Sequence, residues 1–211
     1  MIRCVGAPWR RWFTRRVDVL EVLVTQAQAT GRGVDALARW SAQPNEADAL
    51  AVRDAEHAGD DARRALVGAL REVLSSPVDQ EDLYTISERL DRIENLAKNT
   101  VRLAEALGWR PDGHAARMAG HLVEGVGHLV DGIGVIATDH DMAARAADAA
   151  TKAARKLEKA HREALRELAG RHDLSPAALV AAAECYARYA ALADAVVGVA
   201  HRLWYTVLKE G

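Results

Sequence analysis

Apolar residues recur at spacings of three and four along almost the whole chain, and no stretch sustains the period of two that a half-buried strand requires. Between Gln80 and Gly108 they fall at Ile86, Leu90, Ile93, Ala97, Val101 and Ala104, one stripe down a helix at about 100° per residue. The same spacing at Val17, Leu20, Leu23, Val24 and Ala27 predicts a first helix from about Trp9 to Trp40. Pro44 cannot continue it, and Asn45 is a good N-cap for a second helix reaching about Ser75. In "SSPVDQEDL" Asp79 or a preceding Ser caps the third, and Glu81 and Asp82 occupy the first turn, where the helix dipole favours acids. That helix stops at Gly108. A fourth is predicted from His114 to about Asp139, with Gly120, Gly125, Gly127, Gly132 and Gly134 letting neighbouring backbones approach closely. An Ala-rich fifth runs to Ala169, and a sixth from about Pro176 to Lys209, with proline at an allowed first-turn position.

Six helices and no strand make an all-α bundle, and the apolar half of the composition suits it. That half is mostly Ala, Leu and Val, with one Phe, the small and straight side chains that long, closely packed helices use. An internal echo divides the bundle: Arg63, Ala65, Leu66, Ser76 and Pro77 recur at one constant offset as Arg162, Ala164, Leu165, Ser175 and Pro176. The simplest architecture is one domain over residues 1–211 made of two three-helix repeats, about 9–108 and about 114–211.

Lys and Arg number 28 against 30 Asp and Glu, so no global field favours nucleic acid. Residues 1–16 are the exception, with Arg3, Arg10, Arg11, Arg15 and Arg16 interleaved with Trp9, Trp12 and Phe13 and no acid. Such an end lies on an anionic membrane surface or against a partner, or is a partly frayed helix start that packs its tryptophans on the bundle. Cys4 and Cys185 define no disulfide framework, and "VDVLEVLV" is broken by Asp18 and Glu21, so a cytoplasmic protein is expected.

Chemistry-bearing residues gather on two helices. Glu56 and Asp60 stand one turn apart on the rim of the stripe formed by Val52, Ala55, Ala62, Leu66, Leu70 and Val73; Asp91 and Asn95 repeat the device, with Glu94 nearer the buried face. If these helices are antiparallel neighbours, their rims meet along one groove. Oxygen ligands at i and i+4 lie within roughly 6 Å, so two helices can offer four to a divalent or trivalent cation. The competing reading pairs the acids with Arg53, Arg63 and Arg92. Enzyme motifs are weaker: a di-iron site needs Glu-x-x-His on facing helices, and Glu158 to His161 is a single copy. His114, His121 and His128 read as an ordinary amphipathic stripe, and no phosphate loop or nucleophile elbow occurs.

The stretch "EHAGDDARRALVGALREVLSSPVDQEDLYTISERLDRIENLAKNTVRLAEALG", with the ending "AHRLWYTVLKEG", resembles the PhoU-like proteins, especially the short accessory type associated with Pit-class phosphate transporters. The resemblance implies two three-helix repeats and a regulatory, non-enzymatic, bacterial role in phosphate uptake. It also implies metal ions held through Glu/Asp-x-x-x-Asp pairs, here Glu56 with Asp60 and Asp91 with Asn95, where an acid is usual at the last position. In the second repeat the offset places Arg155, Lys159, Ala190 and Asp194 at these positions, so a second site is not expected unless Glu158, His161 and Asp194 form a shifted one. The expected partners are an inorganic phosphate transporter, the membrane surface through the N-terminus, and a second copy of the chain. The rival expectations are a metal-dependent carboxylate-site enzyme and a plain helical scaffold.

Overall fold

The computed structural model describes residues 18–73 and 75–210; the basic N-terminal run and the expected helix start at Trp9 lie outside them. Among the described residues there are six α-helices and no strand: α1 Val19–Ala42, α2 Glu46–Glu72, α3 Gln80–Leu107, α4 Gly113–Gly134, α5 His140–Ala169 and α6 Pro176–Glu210. Short polar side chains start them. Asn45 accepts from the Asp48 N–H at 2.8 Å, Asp112 from His114 and Ala115, Asp139 from Met142, and Ser175 from Ala178. Each satisfies donors that the first helical turn leaves unpaired. Gly108 ends α3 with φ of 62°, a left-handed cap that a side chain would strain.

Two expected boundaries move. The second helix ends at Glu72 instead of about Ser75, where Val73 leaves helical geometry with ψ of 126°, four residues ahead of Pro77. The fourth ends at Gly134 instead of about Asp139. There Val135 and Ile136 bond back three residues, to Gly132 and Ile133, and the Asp139 side chain is engaged in capping α5.

Helices α1, α2 and α3 form one cluster and α4, α5 and α6 the other, consecutive helices running antiparallel; α1 packs on α4 and α3 on α6 to join them. The interior is continuous. Leu23, Leu37, Leu66, Leu83, Ile86, Leu90 and Ile93 fill the first half, and Met118, Leu122, Leu129, Ile133, Leu192 and Leu203 the second. Each such side chain contributes roughly 1.5–3 kcal/mol by leaving water. The Tyr189 hydroxyl, fully buried on α6, lies 2.6 Å from Ser41 Oγ on α1, a polar tie between the halves. In the second half α5 supplies almost nothing larger than alanine, so its backbone lies close to α4. A Cβ on Gly132 would come 2.9 Å from the Ala146 Cβ and 2.8 Å from Leu203, which explains the glycine there. Gly120, Gly127 and Gly134, by contrast, have no neighbour that a Cβ would meet.

Candidate functional site

The apolar stripes of α2 and α3 turn both helices so that their polar rims meet beside α1. Val52 and Leu66 on α2, and Leu90, Ile93 and Ala97 on α3, are buried, which carries Glu56 and Glu94 inward with them; each is 4% exposed. Asp60 and Asp91 sit further out, with side chains 34% and 19% exposed. The structure thus brings Glu56, Asp60, Asp91 and Glu94 along one inter-helix groove, close enough that Asp60 acts on Asp91, and Glu56, Asp60 and Asp91 all act on Glu94, through their charge. Asn95 is on the same rim, but its amide nitrogen donates to the Asp91 carbonyl of its own helix at 3.1 Å.

Glu94 is the centre of this arrangement. The Thr30 hydroxyl of α1 donates to its Oε1 at 2.6 Å, while Oε2 is buried without a hydrogen-bond partner. Burial pushes its carboxyl up to about 8, and the neighbouring carboxylates add to the shift against the Thr30 hydrogen bond. Asp91 is also raised, by burial first and by Asp60, with Arg63 opposing. One turn below Thr30, Gln26 Nε2 donates to the Ser87 carbonyl at 3.0 Å and its Oε1 accepts from the Ser87 hydroxyl, so α1 and α3 share a buried polar ladder.

Space for the Glu94 carboxylate comes from Gly59. A Cβ built there would fall 2.2 Å from Glu94 Oε2 and 2.3 Å from its carboxyl carbon, so any other residue would expel the group. This role is visible in the sequence as a glycine set mid-helix among acids, "EHAGDD", where it costs about 1 kcal/mol of helix propensity against alanine.

Cations also enter the groove. Lys98, one turn beyond Glu94, forms an ion pair with Glu56, the two side chains being 13% and 5% exposed. Arg63 Nη1 lies 3.9 Å from Asp91 Oδ1, and Arg64 Nη1 lies 3.6 Å from Asp60 Oδ2. Arg53 turns away to Glu105 at 2.7 Å. Lys98 is the participant that the sequence pattern of acids does not reveal, although its place four residues after Glu94 puts it on the same helix face. The donor chemistry, hard oxygens with buried unpartnered atoms at Glu56 Oε2 and Glu94 Oε2, suits a cation. The geometry does not gather a coordination sphere: among the described residues no group of three or more His, Cys, Asp and Glu is placed to hold a metal ion.

The other candidates are dispersed. Glu158 faces Arg162 at 3.9 Å, and Asp194 is exposed. His114 and His121 pair separately with Glu167 at 3.0 Å and Glu124 at 3.6 Å. His161 is held below the ordinary histidine range, chiefly by burial.

Six helices in two three-helix clusters make the PhoU-like fold. The chain is similar to a crystal structure of a PhoU-like protein from Shewanella oneidensis MR-1, with a TM-score of 0.77 and 18% identity over 90% of this chain and 99% of that one. It is similar also to that of a second protein from the same organism, described as a PhoU-like phosphate regulatory protein, with a TM-score of 0.74 and 17% identity over the same shares of the two chains. No protein-family model and no curated protein matches.

Proposed function

We propose that this protein is a non-enzymatic accessory protein that regulates an inorganic phosphate transporter from the cytoplasmic side. The observation that carries this reading is the architecture: six helices in two matched halves, superposable over 90% of the chain on two PhoU-like structures, one of them described as phosphate-regulatory. No described helix is long and apolar enough to cross a membrane, so a transporter would be met as a partner.

A surface suited to such a partner lies at one end of the bundle. Trp204, Tyr205 and Leu208 on α6 are 45–58% exposed, and Tyr84 at the start of α3 is 40% exposed. Arg202 reaching Glu81 at 3.4 Å and Lys209 reaching Asp79 at 2.7 Å bring these two helix ends together. Exposed aromatics beside cations are the residues that dominate protein–protein contacts.

The test is genetic and biochemical together. Affinity capture of the full chain from solubilised membranes is expected to recover a phosphate carrier, and deletion of the gene to change the rate of phosphate uptake. Recovery of no carrier together with unchanged uptake would discard the reading and leave a plain helical scaffold.

A further inference from the structure

The groove between α2 and α3 carries its own counter-charges. Arg63 and Arg64 face Asp91 and Asp60 from the surface, with side chains 33% and 67% exposed, and Glu94 takes its hydrogen bond from Thr30. Lys98 is different in kind. Its side chain is 13% exposed, it crosses from α3 to α2, and it pairs with Glu56, one of the two most deeply buried acids of the groove. His57 Nδ1 approaches Glu56 Oε2 to 3.4 Å without hydrogen-bond geometry, so among the described residues Lys98 is the one cation that Glu56 holds from another helix.

We infer that Lys98 is a tethered cation that fills the position between α2 and α3 where a free metal ion would otherwise bridge the two helices, so that this chain holds its acidic groove closed without metal. Three observations support the inference independently of the transporter reading. The ammonium occupies lone pairs of the acid that a bridging metal would need, and being covalently attached it competes at a high effective concentration. Displacing it would leave its charge unpaired at a site nearly closed to water, a penalty that a free ion must overcome before it gains anything. Two carboxylate oxygens, Glu56 Oε2 and Glu94 Oε2, are buried without hydrogen-bond partners, and Gly59 is kept open for the second. They are the donors that a metal would find once the ammonium is gone. The residues assign Lys98 as the determinant of what the groove binds, with the metal excluded by charge already in place.

The experiment is a titration of the chelator-stripped full chain with Mn2+, free ion being read by its electron paramagnetic resonance signal. Lys98→Met is expected to take up one equivalent with a dissociation constant at least about tenfold below that of the unaltered protein. Lys98→Arg, which keeps the cation, should behave like the unaltered protein, and Lys98→Met combined with Glu56→Gln should lose the uptake. Paramagnetic broadening gives a second reading that needs no variant: in the unaltered protein the Gly59 and Asn95 amide resonances should stay sharp in equimolar Mn2+. Tight uptake by the unaltered protein, broadening at those two amides, or a folded Lys98→Met that binds nothing would each overturn the inference. If Lys98→Met fails to fold, the amide resonances decide alone. A protein that excludes Mn2+ yet does not affect phosphate uptake would refute the transporter role and leave Lys98 as assigned.

Discussion

The two halves of this molecule share a topology and differ in what fills it. The offset that carries Arg63 to Arg162 carries Gln26 to Gly125, Thr30 to Leu129, Ser87 to Tyr186, Glu94 to Ala193 and Lys98 to Val197. In the first half these positions form a buried polar ladder, Gln26 with Ser87 and Thr30 with Glu94, closed by the Lys98 ion pair. In the second, Leu129 and Ala193 are fully buried, and a Cβ on Gly125 would lie 3.3 Å from Val196. Close apolar packing replaces the ladder, and the hydroxyl of Tyr186 donates instead to Asp112. The fold therefore does not require the polar ladder, since the same helix arrangement stands without it. Buried ion pairs are weak sources of stability relative to apolar packing of similar volume, so stability alone does not account for Glu56, Glu94 and Lys98 at these positions.

The largest expected effect breaks the first half at its ion pair. Lys98→Ala strands the Glu56 carboxylate in a site closed to water and should cost about 4 kcal/mol in denaturant unfolding. Glu56→Gln in the same chain should recover part of that loss, because the two changes remove one interaction. The counterpart in the second half is Leu129→Ala, which deletes a fully buried side chain between closely packed helices and should cost about 3 kcal/mol. No second substitution nearby should rescue it, because a cavity has no charge partner. If Lys98→Ala left stability unchanged, the polar and apolar halves would not differ in the way their side chains indicate.

The helices were legible because each rests on a local rule: the three-and-four stripe through Ile86, Leu90 and Ile93, the cap at Asn45 and the glycine stop at Gly108. The halves were legible through the echo of Arg63 and Pro77 in the second repeat. The groove was legible in part, because Glu56 and Asp91 flank buried stripes on helices that a short turn makes antiparallel. Its state of charge was not. Pairing of Lys98 with Glu56 depends on the register between α2 and α3, which no spacing along one helix specifies, and Thr30 reaches Glu94 from a third helix. Periodicity alone also allowed α4 to run through the turn after Gly134, where backbone hydrogen bonds tighten and Asp139 caps the next helix.

A smaller effect follows from Glu94. Its carboxyl titrates at about 8 in the folded chain and near 4.5 when unfolded, so between these values the folded state binds the additional proton. Stability from this group is then fully present below pH 4.5, declines as pH rises toward 8 and is flat above it. Glu94→Gln keeps the shape and removes the titration. In chelator-containing buffer, the unfolding midpoint of this variant should vary less with pH across that window than that of the unaltered protein. Parallel profiles would place the carboxylate in water. Ala193, at the same position of the second half, has nothing to titrate.

The smallest expected effect sharpens the comparison most. Arg155 and Lys159 stand at the offset positions of Glu56 and Asp60, and both are exposed on α5. Replacing them by Arg155→Glu and Lys159→Asp restores the acid spacing of α2 without moving the side chains inward. The facing positions on α6 are Ala190, Ala193 and the exposed Asp194, which offer one carboxylate where α3 offers Asp91 and Glu94. The position of Gly59 is taken by Glu158, which already faces Arg162. The double variant should therefore unfold at the same midpoint as the unaltered protein and bring no Mn2+ uptake. Acids at helical spacing are common on solvated faces, and the first half is set apart by burial, by the glycine that admits Glu94 and by the lysine that answers Glu56. Uptake of the ion by the double variant would show that spacing alone makes a site, and that burial and the tethered cation are incidental to it.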